Sequence, residues 1–463
     1  MTDSLAGKNV LVVGMARSGL AAADLLKKRG AYVKVTEVRP GETLMKEIRF
    51  LEDRGISFEA GGHQDRSFLD AELIVISPGI RTEIQPLQKA KERGTAIIGE
   101  LELASRFLSG KVVAITGTNG KTTTTTLIGE LLTNAGYEVQ VGGNIGTALS
   151  SFVESSAAHT WNVIEVSSFQ LELTPTFRPN IAVFLNITPD HLDRYASFDA
   201  YFEAKLNLFR NQSPADLAVL NYDDGNLQRI SNCIGSGIYW FSSRKKVPRG
   251  VFMNADELTW RNGEVQTAIL HRSDIPLKGE HNIENVAAAS TAAVLAKVLP
   301  AQIGQSIRRF RGVEHRLEYS GKIHGVEFYN DSKATNVDAA LKAINAFESE
   351  IVLILGGRDK GSDFRTLIAS IEKHVKCIVL LGEASSKIRS QLGGIVPTEQ
   401  STSMTNAVEI AYGKASSHDI VLLAPACASF DLFENYEHRG KEFKKAVNEL
   451  AARVGVTQHV AKK

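Results

Sequence analysis

Short apolar runs alternate with helical stretches along most of this 463-residue chain, and no other feature limits its fold as much. The runs Asn9–Gly14, Tyr32–Glu37, Leu73–Ser77, Val112–Thr116, Val163–Val166, Ile181–Asn186, Ile351–Gly356, Ile378–Gly382 and Ile420–Pro425 are largely continuous in their apolar character. That pattern predicts strands buried on both faces, as in parallel sheets. Leu20–Arg29, Thr122–Asn134 and Val337–Ala346 read as helices between them. Strand–helix alternation implies α/β layers joined by right-handed crossovers. The alternation pauses at Gly94–Gly110, and again at Arg308–His315 after a helical stretch over Ile283–Leu299. With a length suited to about three domains, these pauses predict domains over 1–99, 100–312 and 313–463. Within Asn232–Leu277, the stretches SGIYWFSS, GVFMNADELTWR and EVQTAILHR read as short antiparallel strands, a small β insertion.

Charge narrows the function classes. Lys and Arg total 53 against 52 Asp and Glu, a net +1. A general nucleic-acid binder carries a basic excess, so no nucleic acid is expected as a partner. The three cysteines, Cys233, Cys377 and Cys427, are far apart and form no CxxC pair, which suits a reducing compartment. The apolar runs are strand-sized, well short of the roughly 20 residues of a spanning helix. The start MTDSLAGKN lacks the basic and apolar regions of a signal peptide. A cytoplasmic chain with no membrane partner is the expectation.

The strongest local signal is VVAITGTNGKTTTTTLIGELL, Val112–Leu132. A strand ends at Thr116, a glycine loop follows, and a helix opens near Thr122. Backbone N–H groups of Gly117, Thr118, Asn119 and Gly120 can cradle phosphate at the helix start. Lys121 can neutralise phosphate charge, the Thr122 hydroxyl can ligate Mg²⁺, and Thr123 belongs with the loop's ATP-binding residues. The spacing is a shortened variant: strict GxxxxGK[ST] needs glycine where this chain has Ile115. Further polar residues follow later strands: Asn144 in GGNIG, Glu165 in NVIEVSS and His191 in LNITPDHLDRY. Strand ends face the ligand crevice in doubly wound sheets. Lys205, in SFDAYFEAKLNLF, has apolar neighbours and reads from composition as a lysine snorkelling off an amphipathic helix.

Two more clusters complete the set. Arg316 follows VEH. NDSKATN carries Asp331, Lys333 and Thr335; LGGRDKGSDF carries Lys360; PACASFDLFENYEHRG carries Ser429 and Tyr436. Basic and hydroxyl groups at several strand ends can hold a small carboxylate. Near the N-terminus, VLVVGMARSGLAAADLL has Ala16 where a dinucleotide fingerprint needs its middle glycine, yet still describes a strand–loop–helix able to take a diphosphate. Glu37 ends the next strand, where a carboxylate can meet a ribose or base.

Taken in order, SPGI, GTNGKTTT, EVSSFQLE, LNITPDHLDRY, AKLNLF, GEHNIENVAAA, HRLE, NDSKATN and LGGRDKGSDF resemble the Mur ligases, the ATP-dependent amino-acid-adding enzymes of peptidoglycan precursor synthesis. The resemblance spans nearly the whole chain, and NDSKATN with PACASFDLFENYEHRG points within the family to the branch that adds D-glutamate. It implies a Rossmann-like N-terminal domain, a central P-loop-type ATPase domain with a parallel sheet, and a Rossmann-like C-terminal domain. It implies ATP, UDP-N-acetylmuramoyl-L-alanine and D-glutamate as substrates and a monomeric chain. By the resemblance, Lys121, Thr122, Asn285, Arg316 and Asp331 would contact ATP. Thr122, Glu165, His191 and a carbamylated Lys205 would hold Mg²⁺ at two sites, with Lys121, His191 and Lys205 as catalytic groups. Lys333, Thr335, Lys360, Ser429 and Tyr436 would receive D-glutamate. Arg17, Ser18, Glu37 and Gly79 would bind the uridine diphosphate moiety, with Asn144, Ser167 and His191 further along. Tyr436 stands where an apolar aromatic would also serve, and Val38 offers the uracil no hydroxyl.

Competing readings are another amino-acid-adding ligase of the family, a folylpolyglutamate-synthetase-like ligase, an NAD-dependent oxidoreductase, and a nucleotide-gated binding module. Ala16 and the second nucleotide loop at Gly117 count against the oxidoreductase. A non-catalytic module has no need of the lysine–serine pocket.

Overall fold

The computed structural model describes residues 5–192 and 194–456. Three sheets carry the chain. The first comprises β1 (Asn9–Val13), β2 (Tyr32–Glu37), β3 (Ser57–Ala60), β4 (Leu73–Ile76) and β5 (Ala96–Gly99) in the order β3-β2-β1-β4-β5. Every neighbouring pair is parallel. The order reverses at β1, so the loops after β1 and β4 flank a crevice at the strands' carboxyl ends. Helix Arg17–Lys28 starts there. It packs closely because Gly19 has no side chain: a Cβ would lie 1.9 Å from the Gly14 carbonyl oxygen.

The second sheet comprises β6 (Lys111–Thr116), β7 (Val139–Gly143), β8 (Trp161–Glu165), β9 (Ile181–Phe184), β10 (Leu217–Asn221), β11 (Gly237–Ser242), β12 (Arg249–Asn254), β13 (Glu257–Asn262) and β14 (Val265–His271). Its order is β14-β13-β12-β11-β10-β9-β6-β8-β7. The expected insertion is the far end of this same sheet, and it is only partly antiparallel. β11 runs parallel to β10 and β12 parallel to β11; β13 and β14 alone pair in antiparallel fashion with their predecessors. Alternation of apolar residues marks a strand but carries no information about its partner's direction.

The third sheet comprises β15 (Glu318–Ile323), β16 (Val326–Asn330), β17 (Ile351–Leu355), β18 (Val375–Leu380), β19 (Thr398–Gln400) and β20 (Ile420–Leu423), ordered β15-β16-β20-β17-β18-β19. Only the edge hairpin β15–β16 is antiparallel. Cores lie on both faces, with Leu353, Leu355, Ile378 and Leu422 on one and Val352, Ile354, Val379 and Val421 on the other. Continuous apolar strands in the sequence become two-sided burial here.

Two compact units contain these sheets. One holds the chain through Pro189 with Ser197–Asp274 and Glu284–Arg308; the other holds Asp190–Ala196, Ile275–Ile283 and the chain from Arg309. Among the described residues no helix is long and apolar enough to cross a membrane.

Candidate functional site

The phosphate loop of the first unit follows β6 directly. Helix Lys121–Asn134 opens on Gly120, which has φ +87°. A Cβ at Gly120 would lie 2.2 Å from Asn285 Oδ1, so backbone and space both require glycine. The loop is tied from β9's end. Asn119 N–H donates to Asn186 Oδ1 (2.9 Å), Asn186 Nδ2 donates to the Asn119 carbonyl (3.1 Å), and Thr118 N–H donates to the Asn186 carbonyl (3.0 Å). Thr118 Oγ1 accepts from Thr188 N–H at 3.0 Å. Asn285, from helix Glu280–Leu295, accepts from Thr124 Oγ1 at 3.3 Å. Sequence reasoning passed over Asn186 as the residue that ties this loop, although it stands in the quoted stretch LNITPD.

Two lysines converge on one carbonyl. Lys121 Nζ donates to Gly117 O (2.9 Å) and Thr118 O (2.8 Å); Lys205 Nζ donates to Gly117 O (3.0 Å) and lies 3.4 Å from Thr116 Oγ1. Lys205 is 1% exposed, with its ammonium 4.8 Å from the Tyr201 ring centroid. The snorkelling reading is therefore overturned: helix Phe198–Leu206 turns this lysine inward, onto the loop.

Glu165, at the end of β8, is 1% exposed. Its Oε2 accepts from Thr122 Oγ1 and its Oε1 from Asn144 Nδ2, both at 2.8 Å. Both donors are neutral, and no basic side chain pairs with this carboxylate among the described residues. A buried carboxylate beside a hydroxyl is an oxygen donor set of the kind a hard divalent cation takes. The Thr123 hydroxyl is buried with no hydrogen-bond partner. Ser167 caps helix Ser168–Leu171 through a capping box with Gln170. His191 groups with the other unit, at φ +55°; neighbouring Asp190 accepts from Asn336 Nδ2 at 3.2 Å.

At the first sheet's crevice, exposed Arg17 and half-buried Ser18 open helix Arg17–Lys28, and Gly79 lies exposed after β4. Glu37 is buried. Its Oε2 accepts from Met15 N–H (2.9 Å) and Arg39 Nη2 (3.1 Å). Burial pushes this carboxyl up, but the Arg39 guanidinium and the Met15 and Arg39 N–H groups outweigh it and hold it below the ordinary value.

The second unit assembles the remaining cluster around a buried arginine. Arg439 is 2% exposed on helix Tyr436–Arg453. Its Nε donates to Ser332 Oγ (2.9 Å), Nη2 to Ser332 O (2.7 Å), and Nη1 to Cys427 O (3.1 Å) and Ala428 O (3.4 Å). One guanidinium thus fixes the residues beside Lys333 and Ser429. Ala428 also exchanges backbone hydrogen bonds with Arg358, two residues before exposed Lys360. Thr335 N–H donates to Lys333 O at 2.8 Å. Asp331 is buried, and burial pushes its carboxyl up to about 6, against Arg316, the Leu317 N–H and Lys333. Arg316 Nε is buried with no partner. The loop carrying Arg316 is braced by Lys444, which donates to Glu314 and, at 3.0 Å, to Glu318. Sequence reasoning missed Arg439, whose partner Ser332 lies 107 residues away.

Three family models match in chain order: the Mur ligase MurD-like N-terminal domain over residues 8–99, the Mur ligase middle domain over 115–293, and the Mur ligase glutamate ligase domain over 315–427. Two curated proteins named UDP-N-acetylmuramoylalanine–D-glutamate ligase, from Acidobacterium capsulatum and Koribacter versatilis, are 51% and 46% identical over 445 residues. These alignments cover 96% of this chain and 96% and 98% of theirs. Solved structures agree on the fold. A pseudomurein peptide ligase type C from Methanothermus fervidus gives a TM-score of 0.62 at 17% identity, covering 96% of this chain and 100% of that one. The MurF ligase of Thermotoga maritima, in complex with ADP, gives 0.59 at 14%, covering 97% of each chain. By the identity and coverage of its relatives, this chain belongs to the Mur ligase family, in the branch of the UDP-N-acetylmuramoylalanine–D-glutamate ligases.

Proposed function

We propose that this chain joins D-glutamate to UDP-N-acetylmuramoyl-L-alanine, converting ATP to ADP and phosphate, as a step of peptidoglycan synthesis. The observation that carries the reading is the phosphate loop: Lys121 and Lys205 meet at the Gly117 carbonyl beside the buried Thr122–Glu165 pair. The proposed division of labour is UDP-substrate binding in 1–99, ATP binding in 100–312 and amino-acid binding in 313–463.

In the proposed reaction the substrate carboxylate takes the γ-phosphoryl group of ATP, giving an acyl phosphate. The D-glutamate amine attacks the acyl carbon, and the tetrahedral intermediate expels phosphate to leave an amide. Two anions approach in the first step, and Lys121 offsets their repulsion. The loop N–H groups of Gly117 to Gly120 orient the phosphates, with Asn285, Arg316 and Asp331 contacting the nucleotide. Thr122, Glu165, His191 and Lys205, as a carbamate, would hold magnesium at two sites; the metal would neutralise phosphate charge. Arg17, Ser18, Glu37 and Gly79 bind the uridine diphosphate moiety, and Asn144, Ser167 and His191 the remainder of that substrate. Lys333, Thr335, Lys360, Ser429 and Tyr436 receive D-glutamate.

The deciding experiment is ADP release with ATP, Mg²⁺ and UDP-N-acetylmuramoyl-L-alanine across a panel of D- and L-amino acids. Release that depends on D-glutamate is expected. Release only with a different amino acid would move the chain to another specificity, and none with any amino acid would refute ligation.

A further inference from the structure

An apolar ring would fill position 436, yet the chain carries a phenol there. Tyr436 opens helix Tyr436–Arg453, which Asn435 caps by accepting from His438 N–H at 2.7 Å. The Tyr436 carbonyl accepts from Ser332 Oγ at 2.8 Å, and its ring meets His315 edge-on at 6.4 Å. Lys333, next to Ser332, lies with its ammonium 4.9 Å from the ring centroid and 3.1 Å from the phenol oxygen. Arg439 grips Ser332 through its hydroxyl and carbonyl, and it stands on the helix that Tyr436 begins. Lys333 and Tyr436 are therefore set against each other by a buried scaffold and not by chance contact of two surface side chains.

The direction of the Lys333–Tyr436 hydrogen bond follows from their chemistry. An ammonium has three donors and no acceptor, whereas a phenol both donates and accepts. At 3.1 Å the ammonium donates and the phenol oxygen accepts. The phenol's own hydrogen is thereby turned away from the ammonium. An ammonium and a hydroxyl side by side offer two donors to one carboxylate, and charge-assisted bonds of this kind are the stronger sort. A carboxamide suits the pair less: it has one acceptor oxygen, and its NH₂ group would face a cation.

We propose that the Tyr436 hydroxyl and the Lys333 ammonium form a two-donor seat for a carboxylate of the amino-acid substrate, with the hydroxyl selecting carboxylate over amide. The proposal rests on the reading that this cluster receives D-glutamate, and it assigns the phenol a part that an apolar ring could not play.

The test is Tyr436→Phe in the full chain, with steady-state ADP release measured against each substrate in turn. Phenylalanine keeps the ring contacts and removes one oxygen. Losing a hydrogen bond to a charged group predicts a KM for D-glutamate raised about tenfold or more. The KM for ATP and kcat stay within about twofold, and the preference for D-glutamate over either D-glutamine or D-isoglutamine, whichever carries an amide in place of the seated carboxylate, shrinks by the same factor. Tyr436→Leu removes the ring as well: an equal rise in both variants assigns the effect to the hydroxyl, and a rise in the leucine variant alone overturns it. An unchanged KM in Tyr436→Phe, or a change confined to kcat or to ATP, overturns it also. If the wild type uses another amino acid instead, the functional reading fails separately, and the same KM criterion applied to that amino acid decides the proposal.

Discussion

Replacing Gly120 with alanine tests the phosphate loop at its tightest point. The residue sits at φ +87°, where an alanine Cβ costs roughly 1–2 kcal/mol. The added Cβ would also lie 2.2 Å from Asn285 Oδ1, so the amide must retreat. That oxygen accepts from Thr124 at 3.3 Å, already long, and losing this bond costs about 1 kcal/mol more. The sum is about 2–3 kcal/mol, roughly 30- to 150-fold when it falls on one equilibrium or rate. The strain is relieved only by a loop that leaves the shape proposed to hold phosphate. The expected readout is therefore kcat/KM for ATP, lowered by that factor in an ADP-release assay. Gly136→Ala is the control. It shares the left-handed conformation, at φ +90°, at the far end of the same helix, and its added Cβ would meet nothing within 4 Å. It should lose stability in denaturant unfolding without changing kcat/KM. If Gly120→Ala retains kcat/KM within threefold, this loop geometry is not what binds nucleotide.

Three further outcomes are expected. Lys205→Ala should cut turnover by on the order of 100-fold, with partial recovery on adding short-chain carboxylic acids; wild-type activity in the variant would remove the carbamate from the mechanism. Asn186→Leu strands the Asn119 N–H and carbonyl it now pairs with, and should raise the KM for ATP about tenfold or more while leaving the KM for D-glutamate unchanged; equal shifts in both would point to general unfolding. Asp331 has a folded-state value raised to about 6, so it favours folding below its unfolded value near 3.8, and this contribution is lost as pH rises through about 6. Activity that needs its ionised form should fall below pH 6, and Asp331→Asn should be less active but free of that limb, more stable than wild type at pH 8; an acid limb retained in the variant would assign the titration to another group.

Most interior strands are legible because burial on both faces leaves a continuous apolar record, although β10 (LAVLN), interior and mostly buried, is not among the runs read as strands. β3 (SFEA), β5 (AIIG), β7 (VQVGG) and β19 (TEQ) were not singled out, and all four lie at sheet edges where one side is unpaired. The strand–loop–helix at Gly117–Gly120 is legible because its signal is local: glycines, lysine and threonine lie within a few residues of each other. Lys205 was not, because helical spacing cannot say whether a lysine among apolar residues points outward or is folded over by a neighbouring element. Asn186 pairs with Asn119, 67 residues away, and Arg439 with Ser332, 107 away, as well as with Cys427 and Ala428, distances no local pattern encodes. A signal existed for Arg439 all the same. It shares a helical face with Phe443, Ala446, Val447 and Leu450, all buried, so a cation sits in an apolar stripe.

That arginine has a consequence for how substrate attraction depends on ionic strength. Burial lowers Arg439 to about 10, which leaves it charged at neutral pH, and its hydrogen bonds run to carbonyls and a hydroxyl with no carboxylate among them. Its field thus originates where mobile ions do not enter. Salt screens exposed charges such as Lys360 within about 8–10 Å at physiological strength, and buried ones far less. A chain of net charge +1 has no global field to draw in an anionic amino acid. An interior cation beneath the Lys333 and Ser429 backbone supplies a permanent local one, so D-glutamate affinity should decline with added salt only by the share that exposed lysines contribute.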